Sequence, residues 1–437
     1  MQKQYIWHPN TQMKEWSNFR IIKSGNGMWL IDSNGNKLLD GVASMWCNVW
    51  GHSKKELINT IIKQSKDLQH SSLFNLTHEP AEKLAKKLAQ ISPHMYKVFY
   101  SDNGSTSIEV ALKIALQYWQ NVGKSKNKFI SLENGYHGDT FGSMSVGYMD
   151  EFFSKFKTNL FSVIQIPVPI KSKLPTKYTF DEYQKHCLNM LESKLANDKK
   201  IAAMIMESGA QIAGGVNIYP DKFQQKISKL CRKYEVLLIV DEVATGFGRL
   251  GSLVEYQSQK SKPDIVCYGK MLTGGYMTLA ATLTTKKIYD SFNEKFYNMK
   301  HFFHGHTFTG NPIATSVAYK NLELYGKYNL IKKIENKSKL LKKRYDEITS
   351  LDMVKDVRTK GLVMGIELQI DRTKKSLNKI IFEEAANNNI YLRTLGNVVM
   401  LVPPLAISKN ELTFLIDKTI KTIQNVSKNL KHNHNKF

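Results

Sequence analysis

The chain has 437 residues, of which 42% are hydrophobic and 23% are charged, a balance that is ordinary for a globular protein of two or three domains. No apolar run approaches the roughly 20 residues that a membrane-spanning helix needs, and the four cysteines lack the spacing of a metal or redox motif. The formal net charge of +24 is compatible with a polyanion, but the lysines are dispersed on polar stretches, so we expect neither a nucleic-acid nor a membrane partner.

The first residues, MQKQYIWHPNTQMKEW, carry no basic region followed by an apolar one, so we expect no signal peptide. The scattered cysteines are typical of reduced thiols. Both features favour a cytoplasmic protein.

The order of predicted elements indicates an α/β protein. The stretch GMWLIDSNGNKLLDGVAS predicts a strand pair that turns at Asn34 and Gly35. From about residue 54, helical patterns alternate with short apolar strands, which is typical of a mostly parallel central sheet flanked by helices. After Asn311, long helices lead into a strand-rich stretch. We therefore predict an N-terminal segment (1–53), a large α/β domain (54–311) and a smaller α+β domain (312–437).

Two strand ends in the large domain could contact a ligand, since ligands of open α/β sheets bind at the carboxyl ends of strands. KVFYS is followed by Gly104 and Ser105, which open a helix whose free N–H groups could bind phosphate or could simply be capped. NKFISLE is followed by Tyr136, which could stack on a planar ring or be an ordinary core tyrosine.

The two strands that come next in this pattern end near charged residues. VLLIV is followed by Asp241, a carboxylate that needs a cationic partner such as a protonated pyridine nitrogen, unless it only caps a turn. DIVCYG is followed by Lys270, whose loss of hydration would lower its pKa and free a nucleophilic amine, unless the side chain reaches solvent. Together the four strand ends predict a site for pyridoxal phosphate, with Lys270 and Asp241 as catalytic residues.

Two competing interpretations of the sequence, a dinucleotide-binding site and a metal site, have less support. GFGRLG satisfies a dinucleotide-binding pattern, but DEVAT separates it from the strand and no second acidic strand end follows at the required distance. His301, His304 and His306 lack a nearby carboxylate or cysteine, so we expect no metal site. A non-catalytic polyanion-binding protein is the alternative outside the enzymes.

Several longer motifs resemble a known family. IVDEVATGFGRLG, GKMLTGGYMTLAATLTT and GHTFTGNPIATSVA resemble the signatures of the fold-type I, class III aminotransferases, and the resemblance runs nearly end to end. Three further motifs narrow the resemblance to the diaminopelargonic acid aminotransferases of biotin synthesis: WHPNTQM, LLDGVASMWCNVWGH and NGYHGDTFGSMS. This resemblance implies transfer of an amino group to 8-amino-7-oxononanoate, which gives 7,8-diaminononanoate. Another class III transaminase, acting on ornithine or γ-aminobutyrate, is the alternative within the family.

Carried over position by position, the resemblance makes Lys270 the Schiff-base lysine and Asp241 the partner of the ring nitrogen. Thr307 would reach the phosphate of a neighbouring subunit's cofactor, which implies a homodimer with active sites at the interface. Arg393 would hold the substrate carboxylate, and Trp46 would line the channel for the aliphatic chain. The implied cofactor-binding residues are Gly104, Ser105, Tyr136, Glu207, Asp241, Lys270, His306 and Thr307. The implied substrate-binding residues are Asn10, Met45, Trp46, Tyr136, Gly305, Arg393 and Met400.

Four positions depart from members that use S-adenosylmethionine as the amino donor. Asn10 and Met400 stand where those members carry tyrosines, Met45 replaces the first of two tryptophans, and His306 replaces a proline. All four lie at the implied substrate pocket, His306 in addition to its implied cofactor contact, so they leave the cofactor assignment intact and put only the amino donor in question. S-adenosylmethionine is the expected donor, and lysine is the alternative.

Overall fold

The computed structural model describes residues 5–16, 18–370 and 376–434, the last three of them through their backbone only. In chain order its strands are β1 Ile22–Asn26, β2 Trp29–Asp32, β3 Lys37–Asp40, β4 Met95–Ser101, β5 Lys128–Leu132, β6 Val163–Ile166, β7 Ile201–Glu207, β8 Ala210–Gln211, β9 Asn217–Ile218, β10 Leu237–Asp241, β11 Ile265–Tyr268, β12 Ala280–Thr285, β13 Val354–Lys360, β14 Val363–Leu368, β15 Ile390–Tyr391, β16 Arg393–Leu395 and β17 Val398–Leu401. Its α-helices are α1 Ala43–Trp46, α2 Lys55–Asp67, α3 Glu79–Ile91, α4 Gly104–Asn121, α5 Phe141–Val146, α6 Asp150–Phe153, α7 Phe180–Asn197, α8 Phe223–Lys233, α9 Glu255–Ser258, α10 Lys286–Asp290, α11 Pro312–Lys327, α12 Leu330–Lys343, α13 Tyr345–Thr349, α14 Leu377–Asn387 and α15 Lys409–His434.

The N-terminal strands form a small antiparallel sheet in the order β1–β2–β3, and β15 joins its edge in parallel with β3. The Asp32 carboxylate accepts hydrogen bonds from the backbone N–H groups of Asn34 (2.9 Å) and Asn36 (2.8 Å). Gly35 takes a φ of +83°, which glycine adopts without strain. The predicted turn at Asn34 and Gly35 is therefore confirmed, and β15 ties this segment to the C-terminal third.

The central sheet has seven strands in the order β4–β12–β11–β10–β7–β5–β6. Strand β12 is antiparallel to both of its neighbours, and the other pairs are parallel. Strands β7, β10 and β11 are buried along their whole length, which is why they read as continuous apolar runs in the sequence. This mixed and mostly parallel sheet matches the predicted α/β class.

Alternate residues of β10 pack on opposite faces of the central sheet. Leu237 and Ile239 belong to the apolar cluster that includes the buried face of α4, whereas Leu238 and Val240 belong to the larger core on the other face. Both faces of the sheet are therefore covered, and its strand ends are left as the place where polar side chains meet.

The C-terminal third forms another four-stranded sheet, in the order β13–β14–β17–β16. Helices α14 and α15 pack together beside it. Arg393 begins β16 and pairs with Met400 of β17. The boundaries at residues 53 and 311 stay a prediction. Among the described residues no helix, the long α15 included, is apolar enough over a sufficient length to cross a membrane.

Candidate active site

Three charged side chains meet where adjacent strands of the central sheet end. Asp241 is the last residue of β10, Glu207 is the last residue of β7, and the two are directly paired in the ladder. Lys270 follows β11 by two residues, and Asp241 pairs with Cys267 on that strand. The register of the sheet therefore brings two acids and one amine to the same edge. The sequence pattern predicted Asp241 and Lys270 at this edge, and the family resemblance implied Glu207.

These residues border a cavity of about 490 Å³. Its walls come from the strand ends, the start of α4, the turn at residues 46–47 and the loop that follows Lys270. The lining residues include Trp46, Gly104, Ser105, Tyr136, Glu207, Asp241 and Lys270 from the predicted set. These seven predicted residues are thus brought together, although their individual roles stay predictions.

Lys270 borders the cavity with a strained backbone and a buried amine. Its backbone φ is +43°, a strained value for a non-glycine residue. Burial lowers the pKa of its amine, while the nearby Asp241 and Glu207 carboxylates oppose this effect. Its Nζ also lies 5.2 Å from the centre of the Trp46 ring. The lowered pKa makes the neutral, nucleophilic amine more accessible than it is in an ordinary lysine.

Asp241 is held by two partners in the interior. One carboxylate oxygen lies 2.8 Å from Nδ1 of buried His137, and the other accepts a hydrogen bond of 2.8 Å from the backbone N–H of Val243. With Asp241 ionised, the imidazole N–H donates to it. This support fixes the carboxylate at the cavity wall, where it can face a cationic group.

Glu207 is also buried and accepts two backbone hydrogen bonds, from Tyr136 (3.3 Å) and Ile212 (3.0 Å). Burial raises its pKa to about 7, and the neighbouring Asp241 carboxylate adds to the increase. Near neutral pH this carboxyl group is therefore close to its point of half-ionisation.

The start of α4 supplies the part of the site suited to an anion. Asn103 caps the helix, with reciprocal hydrogen bonds of 3.1 Å between Asn103 and Thr106. Ser105 Oγ accepts from the Asp139 N–H at 3.2 Å. A Cβ on Gly138 would lie 2.0 Å from this same oxygen, so glycine is required where the two loops cross. Helix N–H groups and a fixed hydroxyl form a suitable phosphate site.

Tyr136 lies beside these elements, with its ring 6.2 Å from that of Phe153 and nearly parallel to it. Its hydroxyl donates to Asp139 at 3.0 Å. Burial raises the pKa of this hydroxyl, so it stays protonated at neutral pH. The tyrosine therefore offers a flat, neutral wall to the cavity.

The remaining predicted residues do not line this cavity. Asn10 is exposed, and Met400 is buried in the apolar cluster that also contains Trp46. Gly305 and Thr307 are exposed, and Nδ1 of His306 lies 3.6 Å from the carboxylate of Asp102, a residue of the cavity rim. Met45 and Arg393 contact each other. For the 305–307 segment this placement is compatible with a role in a partner's site, which stays a prediction.

Among the lining residues that sequence reasoning missed, His137 and Val243 make close contacts with the predicted ones. His137 lies 104 residues from its partner Asp241, and only its position directly after Tyr136 could have suggested it. Val243 packs so closely against the start of α4 that a Cβ on Gly104 would lie 2.5 Å from it. Within the described residues, no group of three or more histidine, cysteine or acidic side chains is arranged to hold a metal ion.

The whole arrangement is that of a known enzyme class. The family model for class III aminotransferases matches residues 11–423, so the chain belongs to this family of aminotransferases. Enzymes of this class depend on pyridoxal phosphate, and the predicted family and fold class are confirmed.

Several named proteins are similar to this chain over nearly its whole length. The chain is 42% identical to a Geobacter sulfurreducens protein named adenosylmethionine-8-amino-7-oxononanoate aminotransferase, over 97% of each chain. The crystal structure of the enzyme of that name from Methanocaldococcus jannaschii is 42% identical, with a TM-score of 0.89 over 96% of this chain and 97% of the other. An omega transaminase from Pseudomonas jessenii, solved in complex with PMP, has a TM-score of 0.91 at 28% identity over 97% of each chain.

The residues of the cavity fit pyridoxal phosphate. The cofactor carries an aldehyde, a basic ring nitrogen and a phosphate, and the cavity offers an amine, a buried carboxylate and a helix start to these groups. The match rests on the chemistry of the donor set, and the volume is sufficient for a ring of this size.

The contact between Gly138 and Ser105 gives a first prediction. Gly138→Ala is expected to displace Ser105 and to raise the dissociation constant for pyridoxal phosphate about tenfold or more, because a hydrogen bond to a charged group contributes about 1.5–3 kcal/mol. Cofactor titration followed by absorbance measures this. Gly123→Ala is the control, since Gly123 also has a positive φ (+74°) but has no atom within 4 Å of the added Cβ. Equal effects of both substitutions would contradict the account.

The raised pKa of Glu207 gives a second prediction, for the cofactor-free protein. The unfolded chain loses this proton near pH 4.5 and the folded chain near pH 7. The contribution of this proton to the free energy of unfolding is therefore fully present below pH 4.5 and is lost as the pH rises to 7. Glu207→Gln is expected to remove on the order of 2–3 kcal/mol of this loss. Denaturant titrations at pH 5 and pH 7.5 measure it. An unchanged pH dependence would show that Glu207 is ionised throughout.

Proposed function

We propose that this chain is a pyridoxal-phosphate-dependent aminotransferase that converts 8-amino-7-oxononanoate to 7,8-diaminononanoate in biotin synthesis. The observation that carries the proposal is the meeting of Lys270, Asp241 and the Gly104–Ser105 helix start in one cavity. Near end-to-end identity of 42% to relatives with this activity in their names supports the substrate. The omega transaminases share the fold at 28% identity, which favours them less.

The cofactor would be held at three points. Gly104 and Ser105 would bind the phosphate, and Lys270 would bond the carbon of the aldehyde. Asp241 would hold a proton on the ring nitrogen, because a buried carboxylate fixed by His137 is best satisfied by a cationic neighbour. Pyridoxal phosphate supplies an electron sink for negative charge on the substrate carbon that bears the amine.

Lys270 would then act as a base. The lowered pKa would leave a neutral Nζ on the free amine, able to take the proton from the amine-bearing carbon of the donor and later to return one to the acceptor. Trp46 lies over this amine and limits the access of water. Removal of water keeps the amine neutral and keeps the transferred proton within the site.

S-adenosylmethionine is the amino donor that we propose, with lysine as the alternative. The names of the relatives support S-adenosylmethionine. The four departures at Asn10, Met45, His306 and Met400 lie outside the cofactor cavity, so a change of donor would leave the chemistry at Lys270 intact.

The donor is tested by a half-reaction. Cofactor-loaded protein is mixed with S-adenosylmethionine or with lysine, and the visible absorbance of the bound cofactor is followed. We expect bleaching with S-adenosylmethionine, and its reversal on addition of 8-amino-7-oxononanoate. Bleaching by lysine alone would identify lysine as the donor and would leave the proposed acceptor unchanged. Bleaching by ornithine or γ-aminobutyrate, without reversal by 8-amino-7-oxononanoate, would contradict the proposed function.

We also propose that the chain acts as a homodimer in which Thr307 reaches the partner's phosphate site. Exposed apolar side chains cover the segment around Thr307, among them Phe296, Phe303 and Phe308. A Cβ on Gly305 would lie 2.6 Å from the exposed Phe74, so the two segments share one surface. A contiguous apolar surface of this kind supports association between subunits.

Mixed dimers test the shared site. Lys270→Ala and Thr307→Ala are each expected to be nearly inactive in pure dimers. In a co-expressed mixed dimer, one site combines an intact Lys270 with an intact Thr307 from the other subunit, so activity is expected to return to up to half of the wild-type value per dimer. Absence of rescue, or full activity of Thr307→Ala alone, would contradict a role for Thr307 across the interface.

A further inference from the structure

Arg393 has an unusual partner. Its Nη1 lies 2.9 Å from Sδ of Met45, a residue 348 positions earlier in the chain. Among the residues that the structure describes, no carboxylate pairs with this guanidinium. The contact joins the N-terminal segment to strand β16.

This partner is chemically weak. A thioether sulfur accepts hydrogen bonds poorly, whereas a guanidinium group matches a carboxylate with two parallel, charge-assisted bonds. A methionine side chain is also flexible at three bonds and is easily rearranged. A carboxylate that takes Nη1 as one of its two bonds therefore has to displace Met45, and it gains energy because it is the stronger acceptor.

The backbone around Met45 fixes where this side chain starts. The residues around it, Ala43, Ser44 and Trp46, take positive φ values of 49°, 61° and 66°, and the Asp40 carboxylate accepts hydrogen bonds of 2.8–3.0 Å from the Ser44 N–H. Trp46 is buried beside Lys270, while Met45 is 42% exposed. The turn thus directs Trp46 to the reacting amine and the preceding residue, Met45, to Arg393.

We propose that Met45 is a specificity-determining residue, whose thioether contacts Arg393 and competes with the carboxylate of the incoming substrate for this guanidinium. This inference rests on the proposed function, in which Arg393 receives a substrate carboxylate. A ligand without a carboxylate leaves the thioether in place and gains nothing from Arg393. Met45 therefore reduces the affinity for carboxylates without affecting neutral chains, and its acceptor strength sets the size of that reduction.

Two substitutions of similar length change the acceptor in opposite directions. Met45→Leu removes the acceptor, and we expect octanoate to bind about two- to tenfold more tightly, the factor that corresponds to one hydrogen bond. Met45→Gln offers an amide oxygen, a better acceptor, and is expected to weaken octanoate binding by a similar factor. The affinity for 1-octanol is expected to stay within twofold in both variants. Isothermal calorimetry on the cofactor-loaded proteins measures the dissociation constants of both ligands for the wild type and for both variants.

The controls separate competition from a packing effect. Met299→Leu changes another exposed methionine, 59% exposed, and is expected to leave both affinities unchanged. Arg393→Met is expected to remove the preference for octanoate over 1-octanol. The inference would be overturned by shifts of the same sign in Met45→Leu and Met45→Gln, by equal shifts for 1-octanol, or by a wild-type protein that does not prefer octanoate. The donor half-reaction, run on the same preparations, reports separately on the proposed function.

Discussion

The amine of Lys270 lies at the end of a buried strand, where burial lowers its pKa and the carboxylates of Asp241 and Glu207 partly restore it. This balance needs three neighbouring strands to end together, which the ladder between β11, β10 and β7 provides. It also needs a dry environment, since the same charges would interact weakly in water. The continuous apolar runs that bury these strands are therefore a requirement of the chemistry as well as of the fold.

The rest of the site is arranged around that strand edge by close backbone contacts. Gly104 and Gly138 allow the start of α4 and the loop after Tyr136 to approach each other and Val243 without side chains between them. His137 holds Asp241 from behind. The N-terminal segment completes the wall with Trp46, and its sheet is closed by β15 from the C-terminal third. Residues distant in sequence thus limit the access of water to one amine.

Local patterns predicted much of this arrangement. Strands that are buried on both faces are visible as short apolar runs, and a polar residue directly after such a run marks the strand end, which identified Asp241 and Lys270. The hairpin at Gly35 was equally local. The pairs His137–Asp241 and Met45–Arg393 were not predicted, because they join residues 104 and 348 positions apart and no local signal records such contacts. In the proposed homodimer, the role of the 305–307 segment would depend on a second subunit, and a local pattern in one chain carries no signal for such a contact.

The most direct test is to identify which lysine bonds the cofactor. Purified protein loaded with pyridoxal phosphate is reduced with borohydride, which makes the bond permanent, and the labelled peptide is sequenced by mass spectrometry. The account predicts a single phosphopyridoxyl group on Lys270, among the 55 lysines of the chain. A label on another lysine, or none after full loading, would contradict the central role of the strand-end amine.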